Sequence, residues 1–138
     1  MNTGLTRFSA GLFALMRLVV GVLFACHGAQ KLFGAFGSQP MTGKPLMLVA
    51  GIIEFGGGLL IAIGLLARVA ALFAAGEMAV AYFMVHAPQG FWPILNKGEL
   101  ALVYCFVFLF IASVGAGTIS VDSALHRTRP TAASGART

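Results

Sequence analysis

Several ionisable and amide side chains lie inside long apolar stretches of the sequence, where they could bind a ligand and exchange protons with it. Six of them fall toward one end of those stretches: His27, Lys31, Glu54, His86, Asn96 and Glu99. At 1.5 Å per helical residue, His27 and Glu54 come to about the same depth, roughly 9–12 Å. Lys31 is one helical turn from His27, so both side chains share a face. The pattern predicts a polar cup at this end of the molecule.

Three interpretations of the cup remain open. His27 and Glu54 could handle protons for the head group of a lipid-soluble redox carrier such as a quinone. Two histidines and two glutamates could instead hold a metal, although no two of them share a metal-binding spacing within one helix. The third interpretation is an internal hydrogen-bond network that fixes the helix register.

Arg17 and Glu77 form a second polar set, deeper in their own stretches. Counted from one side, each lies about 12–14 Å inside. Charged groups at such depth are costly and usually pair. We therefore expect an Arg17–Glu77 ion pair that holds two helices together.

The composition indicates which solvent surrounds these groups. Hydrophobic residues make up 59% of the 138 residues and charged residues only 9%, against roughly 25% charged in globular chains. So few charges cannot cover the surface of a small water-soluble domain. The net charge of +5 is scattered rather than clustered, which argues against nucleic-acid binding. Lipid is the expected solvent.

Four apolar runs are long enough, or nearly so, to cross the hydrocarbon core as helices. We expect spans over residues 8–33, 46–66, 69–86 and 98–116, separated by Gly- and Pro-bearing breaks. The predicted fold class is an all-α, integral membrane, antiparallel four-helix bundle over residues 1–122. Residues 123–138 are expected to form a disordered cytoplasmic tail.

The basic residues at the ends of the spans predict the orientation. One side would carry Arg7, Arg68, Arg127, Arg129 and Arg137; the other would carry Lys31, Lys44 and Lys97. The larger group favours both termini in the cytoplasm and a cup open to the periplasm. Arg17 interrupts the first apolar run, which is also too long for a signal peptide, so we expect no cleavage.

Small residues within the spans predict close helix packing. Gly21, Ala25 and Gly28 share a face of the first span, Gly51 and Gly58 lie on the second, and Ala71, Ala75 and Ala79 are four apart on the third. Cys26 and Cys105 form no CxxC motif. They fall near one depth and could form a redox pair, although free cysteines more often act as small buried hydrophobes.

The order of these residues resembles the DoxX family of small bacterial membrane proteins, from about residue 17 to residue 122. The first matching elements are R-x9-HG-x2-KLFG from Arg17 and E-x2-GG-x-L-x3-GL-x2-R from Glu54. His86, then N-x-GE from Asn96, and finally GAG-x2-S-x-D from Gly115 to Asp122 complete the pattern. Two departures are Lys97, where the family often has glycine in NGGE, and a shorter loop after the first span.

The resemblance implies a four-helix protein of the bacterial inner membrane, linked to quinone-dependent oxidation of sulfur compounds or to redox homeostasis beside soluble enzymes. The leading hypothesis is a membrane subunit of a quinone-linked redox system, in which Lys31 and Glu99 shape the cup and no residue is assigned as catalytic. The sequence has no haem, iron–sulfur or nucleotide signature, so electrons would come from a partner or a diffusible carrier. The expected partners are the lipid bilayer, a soluble redox enzyme and a second copy of the chain. The alternative is a small-molecule transporter, or a scaffold that recruits soluble enzymes through its tail.

Overall fold

The computed structural model describes residues 3–128, which form helices joined by short connections and contain no strand. The helices are α1 (Thr3–Phe33), α2 (Pro45–Ile63), α3 (Ala67–Gln89), α4 (Pro93–Asn96), α5 (Glu99–Val114) and α6 (Val121–Arg127). A short 3₁₀ turn, Ala35–Gly37, follows α1. The fold is the predicted all-α helical bundle, and each predicted span falls on a helix.

Three helices, α1, α2 and α3, are long and apolar enough to cross a membrane, whereas α5 is apolar but has 16 residues. Large apolar side chains face outward along all four; Leu15, Ile52, Phe73 and Phe106 are more than half exposed. Such a surface suits lipid rather than water.

Glycines set the contact between α1 and α2. A Cβ atom at Gly21 would lie 2.6 Å from the backbone of Gly58 and Ala62, and one at Gly58 would lie 2.6 Å from the backbone of Ala25. Only glycine permits this approach, so the predicted packing role of these residues is confirmed. On the other side of the bundle, the buried Ala71 and Ala75 belong to the core between α3 and α5.

Aromatic rings connect these two helix pairs. Phe24 of α1 contacts Phe108 and Tyr104 of α5, with ring centroids 4.6 and 5.4 Å apart. Phe13 meets Phe110 in the same way at 6.0 Å. The long helices therefore follow one another around the bundle in the order α2, α1, α5, α3, and the ring closes where α2 and α3 meet.

Three charged side chains close the end of the bundle at the α2–α3 turn by bonding to backbone groups. Asp122 accepts hydrogen bonds from the backbone N–H of Leu66 and Ala67 at 3.0 and 3.3 Å, at the start of α3. Arg68 donates to the last carbonyls of α5, those of residues 112–114. Arg17 donates to the carbonyls of Ala116 and Ile119. We call Arg17, Arg68 and Asp122 with their backbone partners the capped end.

The prediction of a disordered tail from residue 123 is wrong for residues 123–127, which the same contacts hold in a helix. Residues Val121–Arg127 form α6, because the Ser120 hydroxyl accepts the Ser123 N–H at its N-terminus and Asp122 anchors its first turn. Residues 129–138, with Arg129 and Arg137 of the orientation argument, lie outside the described residues.

Candidate functional site: a cavity between α2 and α3

The two helices α2 and α3 form a V with its point at the capped end. The chain reverses through Gly64 and Leu66, both with left-handed backbone conformations (φ 73° and 50°). The arms still approach each other at Gly57, where a Cβ atom would lie 3.9 Å from the carbonyl oxygen of Ala70. Beyond that level lies a cavity of about 810 Å³. This volume is within the roughly 300–1,000 Å³ range of small-molecule sites.

Apolar side chains make up most of the cavity wall, from both arms and from α1 and α5 behind them. The ionisable groups on the wall are His27, Lys31, Glu54, Glu77, His86, Lys97 and Tyr104. A few polar groups in an apolar cavity are the usual composition of a small-molecule site.

Lys31 and Glu54 form the strongest polar contact in the cavity. The Lys31 Nζ lies 2.6 and 2.5 Å from the two carboxylate oxygens of Glu54. Glu54 is 3% exposed, and Lys31 remains partly accessible from the cavity. The sequence placed both residues in the cup but did not predict their pairing, and the pair is the one ion pair among residues 3–128.

Glu77 lies beside this pair without joining it. Its charge interacts with those of Glu54 and Lys31, yet its carboxyl makes no hydrogen bond within the described part of the chain, and its Oε2 is buried without a partner. Two carboxyl groups thus lie beside the Lys31 ammonium group, and Glu77 is the carboxyl that remains unpaired within the described residues.

The predicted Arg17–Glu77 ion pair is wrong, because the depth of Arg17 was counted from the wrong point. α1 begins at Thr3 and extends past the other helices, so Arg17 lies level with the α2–α3 turn. A Cβ atom at Gly64 would lie 2.8 Å from the Arg17 Cζ. Glu77 comes ten residues after Ala67, about 15 Å from that turn at 1.5 Å per residue.

Two further residues of the predicted cup also line the cavity. The His27 ring meets Tyr104 edge-on, with centroids 6.2 Å apart. The His86 Nδ1 lies 3.0 Å from the carbonyl oxygen of Asn96, which fixes the ring at the open end. Glu54 and His86 both belong to π-helical turns, Ile53–Gly57 and Tyr82–His86. Such turns are frequent at functional sites, where they reorient individual side chains.

Comparison with known proteins supports the predicted resemblance. The sequence model of the DoxX family matches residues 12–87. The chain is 40% identical over 126 residues to a Haemophilus influenzae protein named "Uncharacterized protein", covering 86% of this chain and 94% of that protein. It is 33% identical over 119 residues to the inner membrane protein YqjF of Escherichia coli, covering 80% and 89%.

The chain belongs to the DoxX family. It is a membrane protein, and the matched range of this DoxX chain contains α1 from residue 12 onward, all of α2 and almost all of α3, with His27, Lys31, Glu54 and Glu77. No solved structure matches it.

The structure does not place Asn96 and Glu99 of the DoxX pattern on the cavity wall. Asn96 is 1% exposed, and its amide is used by its own loop: Nδ2 donates to the Gly90 carbonyl and Oδ1 accepts the Gly98 N–H. Glu99 is exposed in the first turn of α5. The prediction that both residues line the cup is therefore wrong. Asn96 shapes the loop that carries Lys97, and Glu99 faces outward.

Lys97 is a cavity residue that sequence reasoning did not assign to the cup. Its backbone has φ 59°, a conformation that glycine adopts without strain. This conformation suits the glycine that the DoxX resemblance predicts at this position. The lysine of this chain adds a second ammonium group to the cavity wall at a cost in backbone strain.

Glu77 and Tyr104 were also missed as cavity residues. Glu54 comes ten residues before Gly64 and Glu77 ten after Ala67. Counting depth from the turn, instead of from the first apolar residue, would have placed both glutamates at one level.

The described residues lend little support to the metal interpretation or to a redox pair of cysteines. Within residues 3–128 no three His, Cys, Asp or Glu side chains are arranged to hold a metal ion. Cys26 and Cys105 are both free and half-buried. A redox role for them stays a prediction.

Proposed function

We propose that this DoxX protein is a membrane subunit of a quinone-linked redox system and that it binds the quinone head in the cavity between α2 and α3. The observation that carries the proposal is the cluster of Lys31, Glu54 and Glu77 within apolar walls. A neutral, lipid-soluble molecule with hydrogen-bond acceptors on its head fits such a site.

The proposal includes a topology. Four helices, α1, α2, α3 and α5, cross the inner membrane, with both chain termini in the cytoplasm. Arg7, Arg68 and Arg127 belong to the cytoplasmic end, and Lys31, Lys44 and Lys97 to the periplasmic end. The name of the Escherichia coli relative supports the choice of the inner membrane.

Each cluster residue has a separate role in the proposal. A bound quinone supplies an acceptor for two electrons and two protons. Glu54 holds the Lys31 ammonium at 2.5–2.6 Å, so that its remaining N–H bonds point into the cavity. Glu77 and His27 hold and transfer protons at the ligand oxygens, because neither is committed to a hydrogen bond with residues 3–128. Glu54, first expected to handle protons, then acts as the partner of Lys31.

Electrons must come from outside the chain, because the sequence carries no haem, iron–sulfur or nucleotide signature. A soluble redox enzyme at the membrane surface is the proposed donor. The chain then serves as the quinone-binding part of an oxidoreductase.

The binding role can be tested by quinone retention. The full chain is purified in lipid nanodiscs, incubated with ubiquinone, washed and extracted, and the quinone per protein is measured. We expect Glu77→Gln and Lys31→Met to weaken retention by roughly tenfold, or about 1.4 kcal/mol. Glu99→Gln is the matched control, because it makes the same change to an exposed carboxylate off the cavity wall.

Equal retention by wild type and the Glu77→Gln variant, or an equal loss in the Glu99→Gln variant, would contradict the proposed site. A second candidate, transport of a small molecule, is favoured by the position of the unpaired Glu77 deep in the bundle, where transporters place proton-carrying groups. Absence of quinone together with a Glu77-dependent proton flux into liposomes would favour transport. The scaffold alternative depends on a tail that lies mostly outside the described residues.

A further inference from the structure

Gly76 is a glycine that packing does not require. Gly21 and Gly58 are needed because a Cβ atom would collide with backbone at 2.6 Å, whereas nothing lies within 4 Å of a Cβ atom at Gly76. Gly76 is inside a regular part of α3, where glycine costs about 1 kcal/mol relative to alanine. It is also exposed. Neither packing nor helix propensity explains a glycine at this position. We therefore ask what the free space beside Gly76 is used for.

That space belongs to the cavity. Gly76 lines it, and so do the side chains one turn away on either side, Leu72, Phe73 and Val80. These three are 59%, 63% and 49% exposed, so they face the outside and the cavity together. Across the gap, Val49 of α2 lines the cavity and is 54% exposed. The cavity is therefore open sideways, between the arms of α2 and α3.

The opening and the polar cluster are at one depth. Gly76 directly precedes Glu77, whose carboxyl interacts with Glu54 and Lys31. A ligand that crosses the opening thus passes from apolar side chains to ionisable groups at the same level of α3. A site with this polarity suits an amphiphile, with a hydrogen-bonding head inside and an apolar tail outside.

We infer that the ligand enters this DoxX protein from the bilayer, through a window formed by Val49, Leu72, Phe73, Gly76 and Val80, and that its apolar tail lies in this window when its head is bound. Gly76 keeps the window open. The inference rests on the proposed function for the identity of the head, but the route itself requires only an amphiphilic ligand.

The route is tested first without any quinone. Ile53 lines the cavity on α2, next to Glu54, and an Ile53→Cys substitution in a Cys26→Ala, Cys105→Ala background supplies a single thiol. In nanodiscs we expect a lipid-soluble pyrene maleimide to label it much faster than a charged, water-soluble maleimide. Adding Gly76→Phe should slow the pyrene reagent at least tenfold, and Gly76→Ala should slow it less.

The chain offers a matched control in Gly11. It is a helical glycine with the same free space around its Cβ position, and it does not line the cavity. Gly11→Phe should leave the labelling rate unchanged. Each variant is first shown to be folded by its elution as a single species and its helical circular dichroism, so that slow labelling reports a blocked window.

Three outcomes overturn the window. In the first, Gly76→Phe leaves the rate unchanged. In the second, the charged reagent reacts as fast as the pyrene reagent and Gly76→Phe slows both equally, which means that the window leads to water. In the third, neither reagent reaches the thiol, which means that another helix or a second copy of the chain covers the window.

A comparison of quinones with long and short tails then distinguishes this inference from the proposed function. With ubiquinone and a short-chain analogue, Gly76→Phe should weaken binding of the long-tailed molecule at least tenfold and of the analogue much less. Equal loss of both would contradict a tail seated in the window. If wild type binds neither quinone while the thiol is still labelled through the window, the quinone proposal fails and the lateral route stands for another amphiphile.

Discussion

Charged side chains occupy both ends of the α2–α3 pair, but they have different kinds of partner. At the capped end Arg17, Arg68 and Asp122 bind backbone carbonyl and N–H groups of helix ends and turns. In the cavity Lys31 and Glu54 bind each other, and Glu77 binds no residue of the described chain. The first set completes the fold, whereas the second set leaves bonding capacity for a ligand.

The difference has a physical basis. Backbone groups at helix ends have no partner within their own helix and must be satisfied inside a membrane protein. A side chain bound to them is fixed as long as the helix end exists. An ion pair between two side chains can exchange one partner for a ligand group, and a carboxyl without a partner can gain or lose a proton.

One atom of the capped end, the Arg17 Nε, is an exception to this contrast. The Arg17 Nε, like the Glu77 Oε2, is buried and has no partner within the described part of the chain. The two cases are not equivalent, because both terminal nitrogens of Arg17 donate to carbonyls. Arg17 is fixed by those bonds, whereas the Glu77 carboxyl makes none with residues 3–128.

The largest effect should come from breaking the cavity ion pair. Lys31→Leu leaves Glu54 buried without its partner, which should lower the free energy of unfolding by about 3–5 kcal/mol. The double variant Lys31→Leu, Glu54→Leu should recover most of that loss, because it buries no charge. Thermal unfolding in detergent measures both. Lys44→Leu, which removes an exposed lysine near the same end of the bundle, should change the stability by less than about 0.5 kcal/mol.

If the double variant is as unstable as the single one, the two side chains are structural in the same sense as the capped end. That result would contradict the proposed difference between the cavity and the capped end. The recovered double variant should also be folded and unable to retain quinone, which separates stability from binding.

A smaller effect is expected at the capped end. Arg17→Leu removes the donors for the carbonyls of Ala116 and Ile119, and should cost roughly 2–3 kcal/mol of unfolding free energy. Quinone retention by the folded fraction should equal that of wild type. Arg7→Leu, at an exposed position of α1, should change neither quantity. Loss of retention in well-folded Arg17→Leu protein would show that the capped end takes part in binding.

The smallest effect concerns Lys97. Lys97→Gly should relieve the strain of a left-handed backbone, about 1–2 kcal/mol, against about 0.5–1 kcal/mol for the greater freedom of glycine in the unfolded chain. The net gain in stability is about 0.5 kcal/mol, measurable as a slightly higher unfolding temperature. If the lysine contributes to the cavity, ligand retention should fall while stability rises. A fall in stability would show that the Lys97 side chain makes structural contacts.

The family, the helical fold class and the positions of the long helices could be predicted from the sequence, because hydropathy and the order of polar motifs are properties of the chain itself. His27, Lys31, Glu54 and His86, which the sequence assigned to one cup, line one cavity, and their role in ligand binding stays a prediction. Asn96 was misplaced because its amide binds its own loop, and this depends on a local turn that the letters do not show. The start of the tail was misjudged because α6 depends on a contact with Leu66, far away in sequence.

Hydropathy and composition establish that the helices of this protein are apolar and lie in lipid, and that its few ionisable groups are directed toward the interior. The tertiary structure alone decided which of those groups meet. Depth along a helix can be counted from the sequence only if its starting point is known, and the overhang of α1 moved Arg17 away from Glu77. The direction in which a side chain points around the bundle axis cannot be counted from the sequence. It depends on how the glycines of α1 and α2 and the alanines of α3 pack. That packing paired Lys31 with Glu54 and left Glu77 facing an open cavity.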